Sequence, residues 1–115
     1  MFSVSSERFE QLVDEALTLL PESLTAAIDN VAIVLDDESP IGHLLGLYHG
    51  IPITKRDPGS YSLVMPDEIT LYKNTICSSC HSENDVREVV RLTVLHEIGH
   101  YFGIDDNRLD ELGWS

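Results

Sequence analysis

The stretch from Ser82 to Gly103, "SENDVREVVRLTVLHEIGHYFG", constrains the chain more than any other. Ser82 followed three residues later by Asp85 resembles a capping box, so the spacing predicts that a helix opens there. The helix runs to Phe102 and stops at Gly103, the residue type that best tolerates the left-handed conformation after a helix. Its early turns are amphipathic, with Arg87, Glu88 and Arg91 on a wet side. From Val94 onward the apolar residues Val94, Leu95, Ile98 and Phe102 spread around the cylinder. A helix that is apolar on nearly all sides is a buried one. Yet this same half carries His96, Glu97 and His100. Polar groups buried without partners cost on the order of several kcal/mol, so the three need a reason to be there.

A metal ion supplies that reason. His96 and His100 are four residues apart and project about 40° from each other on one face, one turn above the other. Two imidazoles held this way converge on a single ion from a rigid backbone. Zinc accepts neutral imidazole readily, and a catalytic zinc keeps three protein ligands and an open position. Glu97 lies beside that face, placed to take a proton from water on the metal. This is the H-E-x-x-H arrangement of zinc peptidases. A lone helical histidine is usually a hydrogen-bonded structural residue, but two of them with a glutamate in a buried helix are not explained that way.

A third ligand comes from the residues just beyond the second histidine. "HEIGHYFGIDD" reads H-E-x-x-H-x-x-G-x-x-D and resembles the extended metzincin motif, in which Gly turns the chain so that a residue three further on returns to the metal. That residue is Asp106, with Asp105 as its immediate rival. An aspartate leaves the site with a net charge of about +1, against about +2 for three histidines. Water on the metal is then less acidic, and more of the burden falls on Glu97. The chain departs from the metzincins in one respect. Its only methionines are Met1 and Met65, so no Met-turn comes after the motif.

The rest of the chain reads as the frame for this helix. "SSERFEQLVDEALTLL" places Phe9, Leu12, Val13, Ala16, Leu17 and Leu20 on one helical face, with Ser6 as N-cap. Pro21 opens a second short helical piece towards Asn30. "NVAIVLDD" is a compact β-branched run and reads as a strand. "LLGLYHGIPIT" is strand-like but interrupted by Gly46 and Gly50 and stopped by Pro52. "RDPGS" is a turn, and "YSLVM" and "EITLYK" are two further strands. No repeat or linker divides the 115 residues, so residues 1–115 are expected to form one domain.

"LGLYHGIPIT", "PDEITLYK" and "VRLTVLHEIGHYFGIDDNRL" together look like the small bacterial zincin-like metallopeptidases, the minimal zincins. The resemblance covers about Leu45 to Leu109. It implies an α+β fold: an N-terminal helix, a small mixed sheet, a zinc-binding active-site helix packed on it, and a short C-terminal segment. It also implies a zinc-dependent metallopeptidase that hydrolyses peptide or protein substrates. On this reading zinc sits on His96, His100 and Asp106, and Glu97 is the general base. The substrate would lie extended along an edge strand, for which "EITLYK" is the candidate. Tyr48, His49 and Tyr101 are candidates for stabilising the oxyanion.

Composition narrows the alternatives. Bacterial rRNA-maturation endoribonucleases also carry two helical histidines four apart, a following Gly and a third ligand. Their motif lacks the Glu after the first His and ends in histidine. Twenty acids against seven bases give this chain a formal charge of −13, which opposes binding to phosphate backbones. Neither nucleic acid nor an anionic membrane is therefore expected as a partner. A non-catalytic zinc module, with the ion holding a small fold together, is the third reading. "CSSCH", Cys77 to His81, matches a haem-attachment signature, but the N-terminus lacks the basic-then-apolar pattern of an export signal. The pair is expected to be a loop with two reduced thiols or a reversible disulfide, a second zinc site lacking an identifiable fourth ligand. His43 and His49 read as surface or hydrogen-bonded histidines that could shape a cleft. A cytoplasmic location is expected.

Overall fold

The computed structural model describes residues 2–27, 31–50, 67–105, 107–108 and 111. Seven elements succeed one another: α1 (Ser6–Leu17), α2 (Glu22–Ala27), β1 (Val31–Asp36), β2 (Gly46–His49), β3 (Asp67–Tyr72), α3 (Lys73–Ser78) and α4 (Glu83–Tyr101). They make an α+β fold with a three-stranded mixed sheet in the order β1-β3-β2. β1 runs parallel to β3, with Ile33 opposite Ile69. β2 runs antiparallel to β3, with Tyr48 opposite Ile69.

The amphipathic pattern of the first segment does what its spacing predicts. Phe9, Leu12, Val13 and Ala16 are buried, and α1 packs against α4. There they join Val86, Val90, Val94 and Ile98 of α4, with Ile69 and Leu71 of β3, in one core cluster. Each such large side chain withdrawn from water contributes about 1.5–3 kcal/mol. The cap of α1 is Ser5, not the expected Ser6: the Ser5 hydroxyl accepts the Arg8 amide at 3.1 Å. Two serines stand side by side there, and the one in extended conformation whose oxygen reaches the third helical amide does the capping.

At the start of α4, Ser82 caps as expected, accepting the Asp85 amide at 3.1 Å. The Asp85 carboxylate reaches back one residue further than a standard box, to the His81 amide at 2.9 Å. At the other end Gly103 adopts φ 77. Its amide bonds the His100 carbonyl and the Ile104 amide bonds the Gly99 carbonyl, both at 2.9 Å, which is a Schellman closure.

Two expectations change. "EITLYK" does form a strand, ending at Tyr72, but β3 is the central strand of the sheet and not an edge. Its burial fits that position, since Asp67, Ile69, Leu71 and Tyr72 are all buried. Cys77 does not lie in a loop; it sits in the last turn of α3, and Cys80 comes just beyond. Both are free thiols buried in the core. Burial pushes both thiols up, most directly by withdrawing the thiolate from water. The second helical piece begins at Glu22, directly after Pro21 as expected, and is described as far as Ala27; residues 28–30 lie outside the described residues. "RDPGS" and "YSLVM" lie outside the described residues. Among the described residues no helix is long and apolar enough to cross a membrane.

β2 reaches α4 because Gly46 has no side chain. A Cβ there would stand 2.7 Å from Thr93 Cγ2 and 3.0 Å from the Thr70 carbonyl oxygen. Gly46→Ala should therefore push strand from helix and cost about 1–3 kcal/mol in urea unfolding. Thr93→Ser removes the opposing methyl, so the double variant should lose less than the sum of the two single losses.

α1 and α4 are also tied by charge. The Arg8 guanidinium donates to both carboxylate oxygens of Glu83, each at 2.8 Å. That bond holds the Glu83 carboxyl below its ordinary value of 4.5. A carboxylate depressed on folding adds stability above its unfolded pKa and loses it as pH falls through the folded one. The stability gap between wild type and Glu83→Gln should thus hold above about 4.5 and close as pH falls from there through the lower folded value.

Candidate metal centre

The C-terminal half of α4 carries the expected constellation. His96, Glu97 and His100 offer ligand atoms that all lie within 4.8 Å of one another. The two imidazole rings meet edge to face, centroids 4.8 Å apart. Glu97 is 5% exposed. Its Oε1 stands 3.3 Å from His100 Nδ1 and its Oε2 3.8 Å from His96 Nε2. The rings themselves are partly open, their side chains 28% and 33% exposed. A buried carboxylate thus backs two imidazoles that reach solvent.

What fixes the carboxylate is β2. The Tyr48 backbone N–H donates to Glu97 Oε1 at 2.7 Å, a short charge-assisted bond. In an antiparallel pair, residues alternate between facing the partner strand and facing away. Tyr72 donates its amide to Leu45 at 3.0 Å. Gly46 and Tyr48 therefore turn their polar groups away from β3, towards the side of β2 that holds no strand among the described residues. Sequence reasoning did not find this role for the Tyr48 amide. A main-chain donor leaves no trace in residue type.

The Tyr48 side chain is engaged elsewhere: its hydroxyl donates to Asp67 Oδ2 at 2.6 Å. Its ring meets Tyr101 edge-on at 6.1 Å. Tyr101 is buried, while His49 is exposed. Tyr48 bonds Glu97, and it does so through its amide.

Asp106, the expected third ligand, lies outside the described residues. Asp105 is described and is not one of the clustered residues; its Oδ1 accepts the Arg108 amide at 2.9 Å. Cys77, Cys80 and His81 do not assemble as a metal group among the described residues. Cys80 instead donates to the Ile76 carbonyl at 3.2 Å.

A cavity of about 460 Å³ opens beside His96 and Glu97. Leu44, Leu45, Val89 and Leu92 give it apolar walls, and His43 stands among the lining residues. His43 thereby shapes the cleft, as a surface histidine could.

The α+β architecture and the helix-borne His-Glu-His group define a zincin-type domain. The zincin-like metallopeptidase family model matches residues 28–114, and the chain belongs to that family. A conserved hypothetical protein from Thermus thermophilus has a similar structure, with a TM-score of 0.52 at 22% identity, covering 95% of this chain and 97% of that one. At that identity the likeness speaks for the fold alone. No curated protein matches the sequence.

The donor set fits a borderline divalent metal. Two neutral imidazoles one turn apart, with a carboxylate behind them, are what zinc accepts. Zinc at a hundredfold excess over its dissociation constant should stabilise the wild type by about 2.7 kcal/mol in thermal unfolding. His96→Ala should show none of that gain and should carry no metal by elemental analysis.

Proposed function

We propose that the protein is a zinc-dependent peptidase in which His96, His100 and Asp106 hold the metal and Glu97 is the general base. The observation that carries this reading is the placement of Glu97. It is buried, backed against both imidazoles, and clamped by the outward-facing amide of β2. A structural module would need only the ligands; a carboxylate fixed alongside them is the part that hydrolysis requires.

Bound zinc would supply Lewis acidity towards the scissile carbonyl and towards water. The remaining work falls to the chain. Glu97, with one oxygen held by the Tyr48 amide, directs its other lone pairs towards the histidine face, where it accepts a proton from the attacking water. It then returns that proton to the departing amine. The substrate lies extended along β2, where the Tyr48 carbonyl, turned away from β3, offers strand pairing. This replaces "EITLYK", which is internal to the sheet. The cavity beside His96 receives one apolar side chain of the peptide, since its volume and walls suit a large aliphatic or aromatic group.

A peptide or protein substrate also agrees with the charge. A chain of net −13 repels the backbone of structured RNA. Glu97→Gln should keep its zinc and lose hydrolysis of a diverse peptide library by about 10²-fold or more. Full activity in that variant would remove the general base, and cleavage of RNA but of no peptide would reverse the substrate class.

A further inference from the structure

Among the described residues, Asp67 is the buried carboxyl group that the proposed chemistry leaves unused. It is 2% exposed, at the first position of the central strand. The chain encloses it closely: a Cβ on Gly50, whose φ is 156°, would collide with the Asp67 carboxyl group. A carboxylate withdrawn from water to this degree is expensive unless paired. The Tyr48 hydroxyl, at 2.6 Å, pairs it.

Tyr48 is thus held at both ends. Its hydroxyl is bonded to β3 through Asp67 and its amide to α4 through Glu97. β2 is only four residues long, and its described antiparallel pairing stops at His49 opposite Glu68. A strand so short has few ladder bonds to fix where its last residues stand. The Asp67 bond adds a side-chain anchor at that end, on the most buried strand of the sheet.

We propose that Asp67 is a positioning residue: through the Tyr48 hydroxyl it holds the end of β2 where the Tyr48 amide meets the Glu97 carboxylate. The inference rests on Glu97 acting as the base, but its geometric half stands without any hydrolysis. Deleting the anchor lets the strand end drift. An amide that has moved by even a fraction of an ångström no longer fixes the carboxylate, and active-site groups must be held to about 0.5 Å.

The test is amide hydrogen exchange on the metal-free protein, followed residue by residue, in Tyr48→Phe, Asp67→Ala and the double variant. Protection of the Tyr48 amide should fall at least tenfold in each single variant, while protection of Ile69 in the central strand holds. The double variant should be no worse than the weaker single one, because both changes delete the same bond. Glu97→Ala should strip the same amide of its protection. In the zinc-loaded protein the two single variants should lower kcat at least tenfold with KM little changed. Unchanged Tyr48 protection would overturn the proposal. So would a parallel loss at Ile69, which would mean general loosening, or additive losses in the double variant. If no peptide is cleaved but the exchange pattern holds, the anchor stands and the peptidase reading falls.

Discussion

The rest of the structure depends on one hydrogen bond between a strand and a helix, from the Tyr48 amide to the Glu97 carboxylate. It answers a problem that the sequence poses. A glutamate on the buried half of α4 must leave water, and an ionised carboxylate in apolar surroundings is sustained only by well-aimed donors. The Tyr48 amide is such a donor, and it can serve because it faces away from β3. For it to arrive, β2 has to lie almost in contact with α4, which a side chain at Gly46 would prevent. α4 in turn packs against α1 as well.

α4 divides its length between two tasks. Val86, Val90 and Val94 are fully buried and belong to the core, whereas His96 and His100 open to solvent further along. Ile98, fully buried, continues the core past the first histidine. The site therefore inherits its rigidity from the same helix that supplies much of the packing. The two cysteines contribute to that packing. Their burial raises the thiol pKa, which keeps them protonated and makes them weak nucleophiles and weak ligands. The C-x-x-C spacing places both free thiols in the core.

Much of this was legible beforehand because it is local. Helix periodicity located α1 and α4, Ser82 and Gly103 marked the ends of α4, and a four-residue spacing brought two imidazoles together. What escaped was either non-local or carried by the backbone. The order of the strands depends on which run pairs with which, so nothing in "EITLYK" says that it lies between the other two. α3 has only six residues, too few for a periodicity, and Tyr72 at its N-terminus provides no side-chain cap. Asp67 looks like a turn residue beside Pro66. Only its burial against Tyr48 shows otherwise.

The glutamate of the motif is also less well placed by the helix than its position beside His96 suggests. Successive residues are about 100° apart, so Glu97 points about 60° beyond His100 while the two histidines differ by only about 40°. A helix alone sets the carboxylate to one side of the pair. The distances keep that asymmetry, 3.3 Å to His100 against 3.8 Å to His96. The side chain must lean towards the histidine face, and a flexible glutamate has no intrinsic reason to stay there. β2 provides the reason, from a residue forty-nine positions earlier in the chain. The H-E-x-x-H spacing thus creates a place for a metal, while the sheet holds the carboxylate beside it. This separates a helix that merely has the motif from one whose glutamate is held in place by a second element.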